Sequence, residues 1–78
     1  MSLVALAFGK VLREARMQAG HTQERLAILA GIDRTYTSML ERGARTPTLT
    51  VLLRLSHALG IRPDVLVERT VARLAHVP

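Results

Sequence analysis

The stretch from Thr22 to Gly43, TQERLAILAGIDRTYTSMLERG, constrains the fold more than any other part of the chain. Leu26, Ala27 and Ala30 share one face of a short helix, and after a turn at Gly31 the residues Ile32, Tyr36 and Leu40 resume the helical spacing. Thr22 and Asp33 stand where a side-chain oxygen caps the free amides of a first turn. Gly43 follows the second helix, where a residue able to take φ > 0 is wanted. A link this short makes the two helices cross steeply, and the small side chain of Ala27 suits their close approach. The second helix, about residues 33–42, keeps Arg34, Thr35, Ser38 and Met39 on a face the core does not need, and that face is the candidate binding surface.

The flanking sequence supplies the remaining core. From about Leu3 to Ala19, Val4, Phe8, Leu12 and Ala15 form an apolar stripe with Val11 beside it, while Lys10, Arg13 and Glu14 fall outside. Gly9 inside that helix has two readings: another backbone passes close, or the residue is simply tolerated at about 1 kcal/mol relative to Ala. Arg42 to Thr48 reads as a loop, since Pro47 disfavours helix at Thr46, and Thr48 is placed to cap the next helix. Leu49, Leu52, Leu55 and Leu59 mark that helix as a core element, closed by Gly60. A fifth helix, about residues 63–75, starts with Pro63 at its first position and Asp64 against the amino-terminal dipole, though Arg62 is a poor cap. Leu66 reaches back to the domain. Val67, Val71 and Leu74 form a further stripe that either joins two copies of the chain or packs on the first helix. The expectation is a compact all-α bundle of five helices, one domain over residues 1–78, with the helix pair at about 22–43 and a dimerisation helix at about 63–75.

Composition narrows the function. Eleven Lys and Arg against six Asp and Glu give a net charge of +5, and Lys10 is the only lysine. Arginine's planar fork suits phosphates and guanine edges, so the charge favours nucleic acid among acidic partners. The absence of cysteine excludes a disulfide scaffold and a thiolate zinc site. His21, His57 and His76 lie in different segments without metal-ligand spacing, and there is no glycine-rich phosphate loop, so neither an enzyme nor a metal or cofactor is expected. No apolar run approaches the ~20 residues of a membrane span, and the apolar start lacks a leader's basic region, which makes the cytoplasm the expected location.

These residues resemble the helix-turn-helix repressors of the Xre and Cro/cI type, with a lambda-repressor-like fold. The resemblance runs from about Phe8 to Leu66. It is carried by Phe8-Gly9 with Leu12 and Arg16, by Thr22-Gln23-Glu24 with Leu26-Ala27, by Gly31-Ile32, by Tyr36, Ser38 and Glu41-Arg42-Gly43, and by Pro47-Thr48-Leu49 with Leu52, Leu55 and Ala58-Leu59-Gly60. It implies a transcriptional regulator that binds double-stranded DNA as a homodimer, with its third helix in the major groove of a two-fold-related operator. It also implies that Arg16 and Glu41 form a structural ion pair tying the first helix to the end of the third. The run DRTYTSMLERGAR looks like that of the controller proteins of restriction–modification systems, small autoregulatory dimers joined through the fifth helix. The same architecture serves phage repressors and antitoxins, so an antitoxin-type module with a toxin-like protein partner is the alternative. RNA binding lacks the stacking aromatics it would use.

The resemblance and the groove chemistry together assign the site. Arg34, Thr35, Ser38 and Met39 are the candidate base-reading residues. Arg34 either pairs its fork with guanine O6 and N7 or contacts phosphate, and Ser38 reaches a base, a phosphate or neither. Thr22 and Gln23, with the free amides at their helix start, form one expected phosphate clamp; Arg42, Arg45 and Thr46 form the other. Tyr36 either gives its hydroxyl to a phosphate or is purely structural. Three positions depart from the family pattern: Arg25 forfeits the reciprocal half of a capping box, Thr37 replaces an aliphatic packing residue, and Met39 replaces a basic or amide side chain. Arg54, Arg69 and Arg73 are expected on solvated faces. Ile28 and Leu29, two adjacent large aliphatics, cannot both face the core of so short a helix.

Overall fold

Short capped segments and the punctuation between them generate the architecture. The computed structural model describes residues 2–76 and contains five helices: α1 (Leu3–Gln18), α2 (Gln23–Ala30), α3 (Arg34–Glu41), α4 (Leu49–Leu59) and α5 (Pro63–Leu74). The Thr22 hydroxyl accepts from the Arg25 amide at 3.0 Å, the Asp33 carboxylate from Thr35 at 2.7 Å, and the Thr48 hydroxyl from Val51 at 3.1 Å. Half of the capping box at Thr22 therefore survives Arg25. Arg62 makes no side-chain cap bond, and Pro63 and Asp64 open α5 without one. Among the described residues, no helix is long and apolar enough to cross a membrane.

The core forms where the inward stripes meet. Phe8 and Leu12 of α1, Leu26 and Ala30 of α2, Leu40 of α3 and Leu55 of α4 make the main cluster. Val11 and Ala15 of α1 join Leu66 of α5 in a smaller one. At Gly9 the structure selects the close-approach reading: an added Cβ would lie 2.5 Å from the Leu40 carbonyl oxygen and 2.6 Å from that of Glu41. The amino-terminal half of α1 thus passes against the carboxyl end of the α3 backbone. Thr37 is fully buried, and its hydroxyl donates to the Asp33 carbonyl at 3.3 Å. That bond satisfies the polar atom where an aliphatic side chain was expected.

Two apolar stripes are less buried than their spacing suggests. Leu49 is 70% exposed; it is the first residue of α4, ahead of Val51 and Leu52 where packing on the core begins, and Ser56 is buried with Leu55. Val4, in the first turn of α1, is also exposed, while Ala5 and Ala7 are buried.

Candidate nucleic-acid interface

The α2–α3 pair is held rigid by packing and by one polar network. Leu26, Ala27 and Ala30 bury one side of α2, and Thr37 and Leu40 bury one side of α3. Gly31 takes the left-handed conformation at φ 68°, which turns the chain between the helices. Behind the pair, the Arg16 guanidinium grips the Glu41 carboxylate at two points, Nε to Oε2 at 2.6 Å and Nη2 to Oε1 at 3.1 Å. Its Nη1 also donates to the His21 carbonyl at 2.8 Å. The side chains are 14% and 4% exposed, so the pair ties the end of α1 to the end of α3 within the protein. Gln23 joins it by donating from Nε2 to Glu41 Oε1 at 3.1 Å. This contact was not foreseen from the sequence; Gln23 and Glu41 lie far apart in the chain, and only the crossing of α2 and α3 brings them together.

With one side of α3 locked inward, the opposite side is determined. At about 100° per residue, Arg34, Ser38, Arg42, Thr35 and Met39 fall in that order around an arc of about 140°. Thr37 and Leu40 lie across the helix from that arc. Arg34, Thr35 and Arg42 are exposed, while Ser38 and Met39 are half-buried. The capping bond from Asp33 keeps the first turn, which carries Arg34 and Thr35, in helical geometry. The eight residues of α3 span about 12 Å, similar to the ~12 Å width of the DNA major groove.

The groups expected on phosphates come from the segments to either side of α3 in the chain. On one side, Thr22 is exposed and Gln23 half-buried at the amino end of α2. The Thr22 hydroxyl accepts its capping bond and retains a proton to donate, and the Gln23 amide keeps a second N–H beyond the one given to Glu41. On the other side, Arg45 and Thr46 are exposed in the loop after α3. That loop is fixed at Gly43, which has φ 75° and sits so close to Leu6 that an added Cβ would lie 2.7 Å from a Leu6 methyl carbon. Arg42 folds back toward its own helix, its Nε donating to the Ser38 carbonyl at 3.4 Å. Tyr36 is half-buried and packs on the main core. Among the described residues, Arg25, Arg34, Arg42 and Arg45 have no carboxylate partner, whereas the other ion pairs are Arg62–Asp64 and Arg73–Glu14.

A separate apolar face lies on the α1–α5 side. Leu66 and Thr70 turn inward, and the Thr70 hydroxyl donates to the Leu66 carbonyl at 2.8 Å. Val67 and Val71 remain 48% and 61% exposed, and Leu74 is half-buried. With Val4 and Pro47 they line a groove floored by Phe8 and Leu52.

This geometry has close counterparts. A helix-turn-helix family profile matches residues 12–66. Control protein C.BamHI of Bacillus amyloliquefaciens is 37% identical over 68 residues, which cover 86% of this chain and 84% of that protein. The crystal structure of the restriction–modification controller protein C.AhdI from Aeromonas hydrophila superposes with a TM-score of 0.78 at 45% identity, over 80% of this chain and 94% of that one. The tetramer of the controller protein C.Esp1396I, crystallised with its natural 35 base-pair operator, superposes with a TM-score of 0.86 at 29% identity, over 96% and 99% of the two chains.

Proposed function

The chain belongs to the Xre-type helix-turn-helix family of DNA-binding transcriptional regulators, and from that membership we propose that it acts as a homodimer on a two-fold-related operator beside its own gene. The observation that carries this reading is the α3 arc of Arg34, Thr35, Ser38, Met39 and Arg42, left outside the core and backed by the Arg16–Glu41 ion pair. In this reading Arg34, Thr35, Ser38 and Met39 meet base edges. Arg34 is the forked donor, and Met39 offers an apolar contact to a thymine methyl. Thr22, Gln23, Tyr36, Arg42, Arg45 and Thr46 hold the backbone and set the register. Arg16 and Glu41 serve the fold.

The groove at Val67, Val71 and Leu74 is the proposed dimer contact. The protomer measures 31 × 23 × 22 Å, a size that lets two touching copies reach half-sites one DNA turn, ~34 Å, apart. A spacing of two turns would leave the copies separated. The protein works in the cytoplasm, with the DNA it controls. The comparisons favour a regulator over an enzyme or an antitoxin-type module.

Fluorescence anisotropy tests the reading. Labelled duplex from the DNA upstream of the gene is titrated beside scrambled duplex at about physiological salt. Binding to the upstream duplex tighter by about a thousandfold is expected of a specific operator. Equal, weak binding to both that disappears as salt rises would reduce the arc to non-specific attraction.

A further inference from the structure

A second apolar groove lies between α2 and α4, which pack against each other. Ile28 is 64% exposed, Leu53 48% and Leu29 41%; they line the groove with Thr50, Arg54 and His57. Ile28 and Leu29 are therefore both outside the core, whose α2 contribution is Leu26, Ala27 and Ala30. The groove shares no lining residue with the α5 groove. It also lies at the carboxyl end of α2, whereas the phosphate-side groups of that helix are at its amino end. Neither the DNA face nor the dimer face uses it.

Its shape and charge specify an occupant. A channel between two helices accepts a third helix through side chains spaced three and four apart. From Thr50 through Leu53 and Arg54 to His57 the α4 wall runs eight residues, about 12 Å, or roughly two helical turns. The α4 wall carries one fixed positive charge, Arg54, and no lining residue is acidic. Arg54 is held there by a hydrogen bond from Nη1 to the Gly31 carbonyl at 3.4 Å, and among the described residues it has no carboxylate partner.

We infer that the α2/α4 groove docks one short amphipathic helix of a partner protein, with apolar anchors seated on Ile28, Leu29 and Leu53 and acidic residues along the edge facing α4. The probe is a labelled helical peptide of about 15 residues with leucines three and four apart and glutamates along one edge, beside a twin carrying lysines for the glutamates. Anisotropy with the intact chain should give about tenfold or more tighter binding of the acidic peptide. Leu53→Glu should abolish binding, and Arg54→Glu should reverse the preference. Both side chains are exposed, so thermal melts and binding to DNA should match the parent chain. Equal affinity for the two peptides, no binding of either near 1 mM, or binding that survives Leu53→Glu would overturn the inference. So would sedimentation showing that Leu53→Glu halves the mass of the parent species, because the groove would then hold a second copy of this chain.

Discussion

Gly9 and Arg34 show what a single side chain decides here. At Gly9, alanine would gain about 1 kcal/mol of helix propensity. Its Cβ would nevertheless enter the space of two α3 carbonyl oxygens, at 2.5 and 2.6 Å, and backbone cannot rotate aside as a flexible side chain can. Overpacking typically costs about 1–3 kcal/mol, so after the propensity gain Gly9→Ala should lower the urea midpoint by the equivalent of up to about 2 kcal/mol, with a weaker grip on DNA as the end of α3 shifts. A midpoint that rises would show that α1 and α3 part freely. The sequence carried both readings of this glycine, because a helix interior reveals a missing side chain and not the neighbour that forbids one. On the DNA face, Arg34→Ala should lose about 1–3 kcal/mol of discrimination at one base pair per half-site, while Arg45→Ala should weaken all duplexes alike and reduce the salt slope by about one phosphate. Competition titrations with single-base operator variants separate the two. Equal losses on specific and random duplex for both variants would sink the division between reading and clamping.

Helices α1, α2 and α3 converge on the Glu41 carboxylate, which accepts three hydrogen bonds while nearly sealed from water. Removing one partner of such a pair leaves an uncompensated buried charge, at a cost of about 3–5 kcal/mol. Arg16→Ala should therefore destabilise the chain by that amount in urea titration. The Arg62–Asp64 pair, 81% and 65% exposed, is a control: Asp64→Ala should change stability by less than about 1 kcal/mol. Similar losses from both would mean that the Arg16 network is solvated. Most elements were legible because local signals agreed, with caps at Thr22, Asp33 and Thr48 and inward spacing at Leu26, Leu40 and Leu55. The ends of stripes were less legible. Spacing placed Leu49 with Leu52 and Leu55, yet in the first turn of α4 it is Val51 and Leu52 that pack on the core, so burial depended on a neighbour that periodicity does not contain. Gln23 was read as a phosphate contact from the family pattern, and its bond to Glu41 became visible only with α2 laid across α3.

At the scale of the whole molecule, the stripe on α5 divides between two partners. Leu66, expected to reach back to the domain, and Thr70 turn inward, while Val67 and Val71 stay outside, and the sequence left open whether that outer stripe packs on α1 or joins two copies because spacing alone does not name the neighbour. In the proposed dimer the outward set joins the protomers, and joining them makes the second half-site contact intramolecular. Effective concentrations near the millimolar range convert two weak contacts into one that is tighter by about 10²–10⁴. Val71→Glu puts a charge on a side chain that is 61% exposed in the protomer, so it should keep the parent's helical fold yet sediment as a monomer, and its melting temperature should lose the concentration dependence that dimerisation gives the parent. Its affinity for a duplex carrying one half-site should be unchanged, and its affinity for the paired operator should fall by about a hundredfold or more. Unaltered binding to the paired operator would place the dimer contact elsewhere, whereas equal loss on both duplexes would mean that the substitution had disturbed the reading helix.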